Sequence, residues 1–500
     1  MRHEDGTRCG SLAVKAEGLV TVDRSSFDAP DVVEELWAGL GLPSEALSRL
    51  HLEGDSEPAL PSSFRIGVLA QSSIALSALA AAQLHALHSG IAVPSVDVPL
   101  QHAIIEFKSE RFYTIDEQPH SAPQNPIGGL HRAADGYIRV HDSFPNHSNG
   151  MLKLVGLPIG SNREQLANEI AKWRSVELEN IATVKGNLAA YALRSYGEWD
   201  ALPQSQAISD FPIRVQPLSS NSSKGVMGRL PKGSSKCLRG LRVVEMSRVI
   251  AAPLCGKTLA AHGADVIWIT SSNLPDLPSI DREFGRGKRT VQLDIHDSSD
   301  KTRLLELIKG CDVFIQGFRP GSLAKYGLSI EELVEINPDI VIANMSAFGP
   351  AGPWASQRGF DSLVQTCSGM NLSEAEHAGR GEPARPLPCQ ALDHASGYLL
   401  ATGVIAALYH RAIQGGAWQV DVSLAGTMKY LRSLGQYSGN SGFQCRDYKQ
   451  QTEVPPEYLE TRETAFGRVT AVKHSARISG CEVGWDIMPK PLGSDSAEWL

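Results

Sequence analysis

From residue 241 onward, short apolar runs alternate with helical patterns, and this alternation limits the fold more than any other feature. "LRVVEM", "DVIWIT", "RTVQLDI", "CDVFIQGF" and "DIVIANMSAF" are apolar and rich in β-branched residues. Between them, "APLCGKTLAAHGA", "DKTRLLELIKG" and "IEELVEIN" carry helical spacing. A continuously apolar strand must be covered on both faces, and a strand–helix–strand repeat does this by placing helices around a mostly parallel sheet. The spacing predicts an α/β fold. The turn after "LRVVEM" has no G-x-G-x-x-G, which argues against a dinucleotide site of the nicotinamide kind.

The remaining segments divide by texture. Residues 1–61 are polar with one amphipathic piece, "DVVEELWAGLGLPSEALSRL". Residues 62–215 open on an Ala-rich helix, "SSIALSALAAAQLHALHSG", and pass through the loop-rich "DEQPHSAPQNPIGGLHRAADGYIRVH". Two further helices are expected in "NREQLANEIAKWRSVELENIATVKG". Residues 216–240 are dominated by Ser, Gly, Pro and Lys and read as a linker between 62–215 and a module over 241–435, with 436–500 as a tail.

Composition removes several classes. The net charge of −8 is unlike the basic footprint of a nucleic-acid binder. No run of 18 apolar residues is present, so no membrane span is expected. Eight cysteines without a C-x-x-C pair argue against a disulfide scaffold and a zinc ribbon, and no metal site is expected. The N-terminus lacks the apolar core of a secretory signal, so a cytoplasmic protein is expected, with a mitochondrial location left open.

A repeat spans the linker. Residues 76–107 and 401–431 each carry an Ala-rich helix, then a His and a Gly, then V-D-V-x-L and a second helical start. In "PLPCQALDHASGYLLATG" Asp393 stands where a loop enters the second of these helices, a position that suits an N-cap. It lies 17 residues before His410, and Val68 lies 17 residues before the matching His85. A cap needed by both helices would be expected in both copies, so the difference points from capping towards chemistry at Asp393.

Five motifs, in order from about 238 to 435, resemble the family III coenzyme A transferases (the CaiB/BaiF family). They are "LRGLRVVEMSRVIAAPLCGKTLAAHGADVIWI", "GRGKRTVQLDI", "CDVFIQGFRPGSLAKYGL", "INPDIVIANMSAFGPAGPWASQRGFDSLVQTCSGM" and "ALDHASGYLLATGVIAALYHR". Residues 62–215 resemble the later half of the same family, through "ADGYIRVH" and "RSYGEWDALPQ", so its halves stand in reversed order. The resemblance implies a Rossmann-like parallel-sheet large domain with a smaller α+β domain, and a carboxylate nucleophile at Asp393. That carboxylate would accept CoA from an acyl-CoA as an aspartyl thioester and pass it to a free carboxylic acid.

CoA and acyl-CoA would enter as substrates, with no tightly bound cofactor. The resemblance places CoA at the first strand–helix turn, Arg248, Val249, Ile250 and Ala251, and beside Gly317 and Phe318. Arg286, Lys288, Arg289, Arg319 and Lys325 are basic residues suited to its phosphates. Arg248 and Ile250 replace the His and Gln of formyl-CoA transferases, and Trp268, Thr270 and Ser271 alter the rim near the adenine. His394 reads as a first-turn surface or packing residue.

Two rivals remain. Family racemases set a His against the Asp, but the matching residue here is Phe360, so a racemase needs another base, such as His394. A non-catalytic CoA-binding protein is favoured by Val68 and the altered rim, and opposed by the retained Asp393. Family members are interlocked dimers, so a homodimer is expected, with no nucleic-acid or membrane partner.

Overall fold

A computed structural model describes residues 11–14, 20–54, 57–119, 126–219 and 230–500. The alternating segment forms a seven-stranded sheet: β1 (Ile213–Pro217), β2 (Arg242–Met246), β3 (Asp265–Thr270), β4 (Lys288–Gln292), β5 (Val313–Gln316), β6 (Val341–Ser346) and β7 (Trp418–Ser423). The strand order is β1-β7-β6-β5-β2-β3-β4. All neighbours are parallel except β1, which lies antiparallel on β7. The order turns back at β2, which lies between β5 and β3, the switch point of a doubly wound sheet.

Four helices position the site: α1 (Ile66–Ser89), α2 (Ala251–Ala261), α3 (Asp361–Cys367) and α4 (Ala391–Gln414). α4 packs on α1, on α2 and on the sheet. Glycines allow these approaches. A methyl group at Gly397 would lie 2.7 Å from the Ala251 carbonyl oxygen, and one at Gly403 would lie 2.5 Å from Val420 of β7. α1 and α4 are each long and apolar enough to cross a bilayer, but both are buried within the chain, and packing accounts for their apolarity.

The repeat is physical. Both α1 and α4 have 24 residues, and each begins after a residue of nearly the same conformation, Arg65 (φ −80°, ψ 58°) and Gln390 (φ −77°, ψ 61°). Each ends at a glycine of positive φ, Gly90 and Gly415, and leads into a V-D-V strand, Val96–Pro99 in one copy and β7 in the other. Val68 and Asp393 are the third residues of their helices. The two copies pack against each other inside one chain.

Elsewhere the structure departs from expectation. The stretch read as loop-rich holds two strands, Gly129–Arg132 and Tyr137–Val140, of a small antiparallel sheet that Ala190–Ala192 completes. Strands this short, joined by glycine turns, leave too few alternating positions to show in sequence. Gln216 and Pro217 finish β1, whereas 220–229 of the expected linker lie outside the described residues. In the tail, Gly467–Val472 pairs with Thr114–Ile115, and Arg477–Ile478 pairs with Val96–Pro99.

Candidate functional site

α4 starts at Ala391, and Gln390 before it makes no side-chain cap. The cap comes from elsewhere. Asp361, the first residue of α3, accepts the backbone N–H groups of Leu392 (2.9 Å) and Asp393 (3.0 Å) on Oδ2. Its Oδ1 accepts from the Gln365 amide. The Gln365 oxygen in turn accepts from Asn371 (2.9 Å) and the Leu387 N–H (3.0 Å), so the orientation of the capping carboxylate is fixed by a satisfied buried string. The cap expected of Asp393 is therefore supplied by Asp361. A residue already inside the helix, at its third position, cannot serve as its own N-cap.

That arrangement leaves the Asp393 carboxylate without a hydrogen bond among the described residues, at 8% exposure. Burial, then the nearby charges of Asp361 and Glu110, push its pKa well above the ordinary carboxylate range. Burial also raises the Asp361 pKa, but its three hydrogen bonds favour the charged form, so Asp361 is the member of the pair that ionises first. Perturbation by burial plus a like charge, in a carboxylate with no structural bond to make, is the pattern of a functional group.

His394, expected at the surface or in packing, is fully buried. Its Nε2 lies 3.0 Å from Glu110 Oε2, so residues far apart in sequence meet beside Asp393. Burial works to raise the Glu110 pKa, but the His394 imidazole and Arg111 outweigh it and hold it low. Its Nδ1 has no hydrogen-bond partner among the described residues, so only one of the two ring nitrogens of His394 is engaged.

At the turn after β2, Val249 adopts φ +73°, a left-handed conformation that is strained for a β-branched residue. Ile250 is buried beneath it and Ala251 begins α2. Arg248 donates to the Pro275 carbonyl and lies over the Phe144 ring at 4.2 Å. The Gly317 N–H donates to the Met246 carbonyl (3.0 Å), which draws the β5 turn against the β2 turn. A methyl there would fall 2.9 Å from the Ala252 methyl. The Phe318 N–H donates to Gln316 (2.8 Å). Burial and three cations, Arg358, Arg248 and Arg319, lower the His147 pKa to about 4. Arg248, Arg319 and Arg358 therefore all lie near His147, and Arg358 was not singled out from sequence.

The other basic residues are placed differently. Arg286 is fully buried, bonded to Glu283 (3.1 Å), Glu460 and the Val472 carbonyl (2.8 Å). Lys288 pairs with Glu245 (2.8 Å) and the Pro253 carbonyl (2.7 Å), and Arg289 with Asp265 (2.7 Å). All three are consumed inside the protein, so the phosphate role expected of them does not fit. Lys325 is exposed over Tyr326. A cavity of about 270 Å³ lies apart from Asp393, lined by Trp268, Arg282, Thr290 and Phe466 among others.

Residues 238–466 match the family model for CoA-transferase family III. Among curated relatives, the chain is 25% identical over 439 residues to an acetyl-coenzyme A transferase of Hypoxylon pulicicidum, covering 79% of this chain and 73% of the relative. It is 33% identical over 202 residues to a formyl-CoA:oxalate CoA-transferase of Rhodopseudomonas palustris, covering 38% of this chain and 47% of that protein. A solved CaiB/BaiF family protein from Brucella suis is 30% identical over 39% of this chain and 55% of its own, with a TM-score of 0.35. Apart from the fungal relative, the chain spans about half the length of these proteins.

Proposed function

We propose that the protein is a CoA-transferase that moves CoA from an acyl-CoA thioester to a free carboxylic acid through Asp393. The observation that carries this is a buried carboxylate with no hydrogen-bond partner among the described residues, in the first turn of a helix capped by a different residue. The family match and the strand order, which turns back at β2, support the same reading.

Ionised Asp393 attacks the donor thioester carbonyl, the C–S bond breaks and CoA thiolate leaves a mixed anhydride. The thiolate returns to the aspartyl carbonyl, the donor acid departs and an aspartyl-CoA thioester remains. An acceptor carboxylate then attacks that thioester, releasing thiolate and forming a second anhydride. Attack of the thiolate on the acceptor's carbonyl gives the new acyl-CoA and frees Asp393. Arg248, Arg319 and Arg358 suit the anionic part of CoA, with the strained turn at Val249 holding its backbone near the ligand.

Hydroxylamine tests the reading. Inactivation that requires both acyl-CoA and hydroxylamine supports it, and turnover untouched by hydroxylamine opposes it.

One observation favours a second reading, proton transfer at the α-carbon of an acyl-CoA. The His141 ring stacks on Phe360 at 3.7 Å, so an imidazole borders the residue that stands in place of a base. Burial, then His147 and Arg139, lower its pKa to about 3, leaving it neutral. Deuterium uptake into a 2-methylacyl-CoA at the rate of turnover would establish that chemistry, and its absence leaves the transferase.

A further inference from the structure

Tyr137–Val140 is the central strand of the small sheet, and its alternation sorts its side chains. Ile138 and Val140 are buried in the module's own core. Arg139 and His141 stand on the opposite face, two residues apart. That face is pressed against the segment leading into α3. His141 stacks on Phe360, and Tyr191, the register partner of Arg139, donates to the Arg358 carbonyl at 2.6 Å. Arg139 therefore stands between these two anchors, facing the stretch that carries Asp361.

The Arg139 guanidinium is half-buried and has no hydrogen bond or ion pair among the described residues. Burial lowers its pKa, against which the charge of nearby Asp361 acts. Asp361 accepts from Gln365 and from the two N–H groups of α4, and no hydrogen bond joins it to Arg139 among the described residues. An unpaired, largely desolvated arginine is costly unless a ligand completes it, and its planar fork matches a carboxylate through two parallel bonds.

We propose that Arg139 holds the free carboxylate of the reaction, the acceptor acid as it enters and the donor acid as it leaves, beside Asp393. The inference rests on the transferase reading and names the residue that reading lacks. Arg139 forms no covalent bond. It places one carboxylate oxygen of R–COO⁻ against the carbonyl carbon of the aspartyl-CoA thioester. The new C–O bond forms there as the C–S bond breaks and the electron pair leaves on CoA sulfur. Because donor and acceptor acids share this residue, each is expected to compete with the other.

The test uses the full chain as wild type, Arg139→Gln and Arg139→Lys. Acetyl-CoA and succinyl-CoA serve as donors, and oxalate, succinate and benzoate as acceptors. Loss of a charge-assisted pair should raise the KM of the acceptor acid about 10- to 100-fold in Arg139→Gln, with a smaller rise in Arg139→Lys. The KM for acyl-CoA and the rate of hydroxylamine trapping are the comparators, expected within about threefold of wild type. A purely structural role would move all of these together, and unchanged acceptor KM values or an equal rise for acyl-CoA would overturn the assignment. If the wild type itself yields no hydroxylamine-sensitive adduct, the transferase reading fails. If it does and the Gln variant keeps its acceptor KM, only the role of Arg139 fails.

Discussion

Replacing Asp361 by Ala separates the two carboxylates of the site, because one is the cap and the other the proposed nucleophile. The substitution strips the acceptor from three buried donors, the N–H groups of Leu392 and Asp393 and the Gln365 amide. A buried donor left unmet costs about 1–3 kcal/mol, so the gross loss for three is about 3–9 kcal/mol. Removing a desolvated charge that repels Asp393 returns part of this, and a net loss of about 2–4 kcal/mol is expected. The fall should appear as a lower urea midpoint at unchanged slope. Activity should respond in a second, opposite way. After burial, the Asp361 charge is the next cause of the raised Asp393 pKa, so Asp393 should ionise at lower pH in the variant. The acid limb of kcat against pH should move down. A variant as stable as wild type would refute the capping argument. An acid limb that stays in place or moves up would refute the coupling of the two carboxylates.

Asp393→Asn should abolish transfer yet stabilise the fold. The folded pKa of Asp393 is raised above its unfolded value, so its contribution is present below about pH 4 and is lost as pH rises through the folded value. The variant should be more stable than wild type at pH 8, with the difference vanishing near pH 4, as urea titrations at the two pH values would read. Arg286→Met should destabilise by about 3–5 kcal/mol by leaving buried Glu283 and Glu460 short of a partner. Its KM for acyl-CoA should stay within about threefold, and a tenfold rise would restore Arg286 to the CoA site. The expected homodimer followed from the interlocked dimers of the family it resembles, whereas α1 and α4 pack on each other within one chain. Light scattering at micromolar concentration should therefore give a mass near 53.9 kDa, and twice that value would show a dimer.

The parallel sheet was legible because its strands are covered on both faces and read as unbroken apolar runs. The repeat was legible because V-D-V marks the strand after each long helix, and the structure puts Val68 and Asp393 at the same helical position. What the sequence could not show is partnership across distance. Asp361 caps a helix that begins 30 residues later, and no local pattern joins the two. Arg286, Lys288 and Arg289 look like free cations until Glu283, Glu245 and Asp265 are seen beside them. Arg139 within "YIRV" looks like an ordinary outward-facing residue, because only the packing of that strand on Phe360 gives its outer face something to meet.

A covalent thioester on Asp393 can be captured chemically by trapping. Wild type and Asp393→Ala are incubated with acyl-CoA, treated with hydroxylamine, digested and sequenced by mass spectrometry. A hydroxamate at Asp393 that requires acyl-CoA is expected in the wild type, and none in the variant, whose transfer rate should fall by several orders of magnitude. A hydroxamate on another carboxylate, or an Asp393→Ala enzyme that keeps more than about a tenth of wild-type turnover, would contradict the role of Asp393.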